Sequence, residues 1–196
     1  MLRFAFLTAT MLPLQSLKAQ PSGEFVDINI SINYPVPDYD PAFRESFDGR
    51  PSLRFRVRQY TANNLSYALG GEILKVKGIT SSTNLRGASK ATFYAINGIV
   101  AYNILRDEKI RIEPGVAGGY NFISYNDLNS TADGFSLSPE LALYLATGSA
   151  YGFELALSYY TIFEQFSPDG LPTNISKMRF IIIRIGMTFR TRSQKN

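Results

Sequence analysis

Three arginines at alternate positions, Arg54, Arg56 and Arg58, share this chain with Arg111, Arg184 and four glutamates, Glu72, Glu113, Glu140 and Glu154. On a strand, side chains at period two project from one face, so the arginine ladder could bind an anion or line a narrow anion-preferring pore. The glutamates could in principle act as general acid and base. The alternative is a static network in which opposite charges pair. With at least as many arginines as glutamates on the same face, pairing is the better account, because charge networks perturb titration without implying catalysis. The chain contains no histidine. That removes Ser-His-Asp and Cys-His nucleophile arrangements and histidine-ligated zinc. No catalytic residue, metal ligand or cofactor is expected, and the sequence reads as non-enzymatic.

The elements that must hold these charges are strands. Tyr151, Phe153, Leu155, Leu157 and Tyr159 alternate with Gly152, Glu154, Ala156 and Ser158, a ribbon with one apolar and one hydrophilic side. The same rhythm predicts strands near 24–34, 51–60, 65–76, 92–105, 110–123, 135–146, 150–163 and 178–190. Most are longer than a typical globular strand and match a tilted crossing of a bilayer. The apolar sets, for example Val26, Ile28, Ile30 and Ile32, or Ile181, Ile183, Ile185, Met187 and Phe189, carry no charge. Lys75 and Arg179 fall only at strand ends. The ionisable residues collect on the opposite face.

Connections predicted at 35–50, 77–91, 124–134 and 164–177 are long, and those at 61–64, 106–109 and 147–149 are short. Their strict alternation puts the long loops at one rim of an up-and-down barrel and the turns at the other. The first long loop is rich in proline and aromatics, and Pro35, Pro37, Tyr39 and Phe43 make it a candidate recognition loop.

Residues 1–19 read as a secretory signal peptide: Arg3 supplies the positive start, Phe4 to Leu14 an apolar stretch broken by Pro13, and Ala19 the small residue before cleavage. Residues 20–196 then form one domain. Without the leader's Arg3 and Lys18, 18 basic residues face 16 acidic ones. This near-neutral balance gives no basic groove for nucleic acid. The chain has no cysteine, so an exported domain must be held by its sheet rather than by disulfides. The mean hydropathy of -0.06 fits alternating rather than blocked polarity.

The leader, the eight alternating strands, the alternating loops and the last strand, Arg184-Ile185-Gly186-Met187-Thr188-Phe189-Arg190, resemble the small outer-membrane β-barrel family. Within it they resemble the eight-stranded OmpA/OmpX-like barrel domain, particularly versions of the Bacteroidetes-type lineage. The resemblance implies an all-β fold, an eight-stranded antiparallel up-and-down transmembrane β-barrel in the cell outer membrane. It also implies contact with outer-membrane lipid and insertion by the barrel-assembly machinery through a terminal signal, here Gly186 and Phe189. Thr191 departs from the common pattern, and six residues follow Arg190.

The expected function is a non-enzymatic integral outer-membrane protein with a structural envelope role or loop-mediated binding of an envelope protein partner. Two alternatives remain at this point. One is a narrow pore or small-molecule porin lined by the arginines. The other is a soluble lipocalin-like binding barrel, which would turn the apolar set inward around a ligand.

Overall fold

The computed structural model describes residues 25–37, 47–61, 63–78, 90–106, 109–125, 130–147, 150–166 and 174–192. The signal-peptide segment 1–19 lies outside the described residues, as do Tyr39 and Phe43. Among the described residues there are ten strands: β1 (Phe25–Pro37), β2 (Phe47–Arg50), β3 (Ser52–Tyr60), β4 (Leu65–Gly78), β5 (Lys90–Tyr102), β6 (Leu105–Arg106), β7 (Ile110–Tyr125), β8 (Ser130–Ala146), β9 (Tyr151–Phe166) and β10 (Asn174–Arg192). Every pairing is antiparallel. β3, β1, β10, β9, β8, β7, β5 and β4 follow one another around a ring that the β4–β3 and β1–β10 pairings close. The result is a closed eight-stranded barrel. Closure leaves the ring without the unpaired edge that an open sheet would carry.

The register fixes the width of the barrel. Tyr60 stacks on Phe25, and a path across the sheet from Tyr60 passes Ser66, Ala101, Gly115, Glu140, Ser158 and Ile182 before meeting β1 again at Pro35. One circuit therefore climbs β1 from Phe25 to Pro35. At about 3.3 Å per residue and about 4.8 Å between strands, this stagger tilts the strands about 40° and sets a backbone radius of about 8 Å. A barrel of that size has room for side chains to fill it and little more.

The alternation decides which side chains fill it. On β10 Arg184 is 1% exposed, while its neighbours Ile183 and Ile185 are 42% and 63% exposed. The other apolar sets also point outward, including Ile30, Phe55, Leu69, Ile96, Val116, Leu141 and Leu155. Exposed aromatics flank this belt: Tyr67, Tyr102, Tyr151 and Phe153 toward the turns, and Tyr34, Tyr94, Phe122, Phe135 and Tyr159 toward the other rim. A soluble lipocalin-like barrel needs the reverse orientation, so that alternative falls.

At the loop rim the strands run further than the sequence pattern indicates. Pro35 and Pro37 belong to β1 rather than to a loop, with Pro35 buried opposite Ile182. β7 and β8 extend to Tyr125 and Ser130, which shortens the expected long connection at 124–134 to residues 126–129. Apart from Tyr125 and Ala132, which join the buried apolar cluster, the added residues are polar or glycine, and backbone pairing needs no continuous apolar face once a hairpin leaves the belt. The second strand starts early, as β2, and gains one residue over β4 between Arg50↔Lys75 and Arg54↔Glu72. This is a β-bulge at Pro51, and Ser52 patches it: its Oγ accepts from the Lys75 amide at 3.0 Å and donates to the Arg50 carbonyl at 2.8 Å. At a turn, Asn64 takes a left-handed φ of 60°, a conformation Asn tolerates better than most residues.

Candidate functional site

The lumen is filled in three layers. In the middle layer Glu140 of β8 is the centre: Oε2 accepts from Arg54 Nη1 at 2.9 Å and Arg184 Nη1 at 3.1 Å, and Oε1 from Arg56 Nη1 at 2.8 Å. Arg56 Nη2 also donates to Tyr144 Oη at 2.5 Å and to Glu154. Arg184 reaches Glu72 Oε1 at 3.2 Å and Ser158 Oγ at 2.8 Å. Glu72 further accepts from Asn33 at 2.7 Å and Asn97 at 3.3 Å. Side chains from seven of the eight ring strands thus meet in one hydrogen-bonded slab. Such pairing is what makes buried charge tolerable, because an unpaired ion in low dielectric is expensive.

The layer nearest the turns is built from charge and aromatic rings. Arg58 pairs with Glu113, and Arg111 Nη2 donates to Asp27 Oδ2 at 2.8 Å. Asp27 Oδ1 also accepts from Arg190 Nε at 3.3 Å. The Arg111 guanidinium lies 4.6 Å from the Tyr60 ring centre and 4.7 Å from that of Tyr144, with Phe25 at 5.5 Å. Cations over aromatic faces are held by the ring quadrupole, more strongly where water is excluded. A hollow of about 10 Å³ lies beside Gly152, Asp27 and Arg111 at this mouth.

The layer toward the long connections is apolar. Leu74, Val76, Phe93, Ile123, Ile162, Met178, Phe180 and Ile182 pack into one buried cluster, with Phe93 and Phe180 edge to face at 5.8 Å. Tyr160 joins it and donates to Asn121 Oδ1 at 2.8 Å.

All nine ionisable residues singled out in the sequence lie in the lumen and are buried. The sequence reasoning missed Asp27. Among the described residues the buried charged side chains are five arginines and five acids, and Asp27 supplies the fifth acid. It shares the inward phase of Asn29, Ser31 and Asn33 on β1, so the period-two rhythm held the signal. The apolar third of the lumen was also missed. Its signal is the unbroken run Phe180-Ile181-Ile182-Ile183, apolar on both faces.

Gly186 and Phe189 sit at the β1–β10 seam. A Cβ on Gly186 would come within 2.6 Å of Ser31 Cβ and 2.7 Å of the Ile30 carbonyl oxygen, so glycine is required there by the closeness of β1. Phe189 points outward between Ile28 and Tyr151. Of the candidate recognition loop, Pro35 and Pro37 are placed in β1, as above, and Tyr39 and Phe43 are outside the described residues.

Among solved structures, the outer membrane protein OprG from Pseudomonas aeruginosa matches with a TM-score of 0.59 at 14% identity, over 88% of this chain and 97% of that one. Neisserial surface protein A matches at 0.53 and 12% identity, over 88% and 98%. The E. coli Outer Membrane Protein W matches at 0.54 and 11% identity, over 88% and 100%. The chain has the fold of the small eight-stranded outer-membrane β-barrels. No family model and no curated protein sequence matches it. At these identities the likeness carries fold alone; what this barrel does must come from its own side chains.

Proposed function

We propose that the protein is an integral outer-membrane barrel, exported by its leader, with a sealed lumen and no catalytic centre, which acts through its outer surface and the segments joining its strands at the loop rim. The observation that carries this is the Glu140 slab together with the apolar cluster beside it. One layer fills the cross-section with paired charge and the other with packed hydrocarbon. A conducting pore would need the arginines to face water, whereas Arg54, Arg56 and Arg58 are each committed to Glu140 or Glu113. The outward apolar belt and its aromatic flanks support placement in a bilayer. Gly186 and Phe189 serve in this account as the element read by the insertion machinery, and the connections 38–46 and 79–89 as the segments that meet an envelope partner.

Two measurements test the proposal. The protein should partition with outer membranes and require detergent for release, and it should give no steady single-channel current in planar bilayers. Large, stable conductance from the intact protein would make the arginine ladder a pore lining. Recovery in the soluble fraction would remove the membrane placement itself.

A further inference from the structure

On the outer wall, β3, β4 and β5 carry a feature that packing of the barrel does not explain. Leu53, Phe55, Ile73, Tyr94 and Ile96 surround Gly71 and form an open groove of about 570 Å³. The register stacks it in rows. Phe55, Gly71 and Ile96 lie side by side, and Ile73, Tyr94 and Phe122 form the next row toward the loop rim. Gly71 leaves the floor bare, yet nothing in the chain demands glycine: a Cβ there would meet only the Ala95 carbonyl oxygen, at 3.9 Å.

The rows above change character at once. Arg50 pairs with Lys75, and beyond them Asp48, Lys77 and Lys90 lie abreast. The four cations are exposed and share the outward face of the groove. Asp48 offsets only part of their charge, through a 3.6 Å contact with Arg50. Within one strand step, therefore, the wall passes from a bare apolar channel to a cluster of excess positive charge. That step lies at the loop-side end of the apolar belt, where a bilayer-spanning barrel meets lipid head groups.

We propose that this groove and the cations above it form a binding site for a phosphorylated, multiply acylated glycolipid of the outer leaflet. An acyl chain lies over Gly71, and the head-group phosphates pair with Lys75, Lys77, Lys90 and Arg50. Charge complementarity sets the class of ligand, because a zwitterionic or neutral lipid would leave the three lysines uncompensated. Phosphate is bound here by three ammonium groups and one guanidinium at an exposed surface, so the interaction weakens as salt screens it. The proposal rests on the membrane placement above.

The test uses the full mature chain folded in detergent and mixed with bis-phosphorylated lipid A, dephosphorylated lipid A or phosphatidylethanolamine, with bound lipid counted by native mass spectrometry. One bis-phosphorylated lipid A should be retained at least tenfold better than either competitor. Gly71→Leu, which fills the groove from outside the lumen, should abolish the retention while leaving the heat-dependent gel mobility of the folded barrel unchanged. Lys77→Gln with Lys90→Gln should reduce it about tenfold. Equal retention of all three lipids, or full retention by Gly71→Leu, would reduce the groove to ordinary annular lipid and overturn the proposal. A chain that fails to enter lipid vesicles at all would instead count against the membrane placement.

Discussion

Asp27 and Arg111, 84 positions apart in the chain, meet across the lumen at 2.8 Å. Asp27 lies on β1 next to the seam, Arg111 lies on β7 on the far side of the ring, and Arg190 of β10 reaches the same carboxylate. The contact therefore joins both terminal strands to the opposite wall, and it brings the buried charges to five of each sign among the described residues.

Removing that acid should be costly. Asp27→Asn leaves Arg111 with Glu113, at 4.0 Å, as its remaining counter-charge, and loss of one partner of a buried pair costs about 3–5 kcal/mol. Unfolding in urea from lipid vesicles should show a drop of that order. The double variant Asp27→Asn with Arg111→Met should recover part of it, since two contacting residues are not additive. Additive losses in that cycle would mean the pair contributes nothing as a pair.

Glu140 accepts from three arginines, whereas Glu113 pairs with Arg58 and lies 4.0 Å from Arg111. Glu140→Ala should accordingly destabilise the barrel more than Glu113→Ala, with both in the range of a few kcal/mol. Glu140→Gln should fall between Glu140→Ala and the wild type, because an amide oxygen still accepts a hydrogen bond but cannot balance the charge. Equal midpoints for the two alanine variants would show that Glu140 is not the centre of the slab.

How much of this was legible depends on what period two can encode. It assigns faces, and so it separated Arg184 from Ile183 and Ile185 and put all nine selected charges inside. It does not encode stagger. That Arg54 and Arg184 converge on Glu140 follows from the climb from Phe25 to Pro35 around the ring, a quantity set by pairing between strands rather than by any strand alone. The loop-side strand ends were hidden for a related reason. Ser130 to Asp133 pair with Tyr125 to Phe122, and Ser124, Ser130, Thr131 and Asp133 interrupt the apolar alternation there although Ile123, Tyr125 and Ala132 join the apolar cluster. The one-residue bulge at Pro51 was equally silent, since Arg54 to Arg58 keep their phase after it.

The outward face gives a sharper contrast between neighbours. Ile185→Arg places a guanidinium in the middle of the apolar belt, where a bilayer charges about 2–4 kcal/mol for it, decreasing toward the interfaces. Phe189→Arg, near the turn rim, should be tolerated several-fold better in vesicle folding yields. If both variants fold equally well in lipid, the belt does not face a bilayer.

The candidate recognition segment should be separable from the fold. Val36 pairs with Ile181, so a deletion that begins there shortens the β1–β10 seam. Replacing residues 38–43 with a short Gly-Ser linker instead leaves every described pairing in place. Heat-dependent gel mobility should be unchanged, while binding to envelope partners changes. An unfolded product would show that these six residues hold the barrel.

Finally, the proposed sealing of the lumen by two layers in series predicts a distinctive conductance pattern. Phe180 packs edge to face on Phe93 in the apolar layer, and Phe180→Ala should open a cavity there, with a loss of about 3–5 kcal/mol typical of a large buried aromatic. The current should stay at zero, because the Glu140 slab still closes the cross-section. Glu140→Ala alone should also stay closed, since the hydrocarbon layer excludes water and ions. Only the combined variant, if it folds, should admit ions, and the freed Arg54 and Arg184 should make that current anion-preferring. Steady current from either single variant would show that one layer, not both, seals the barrel.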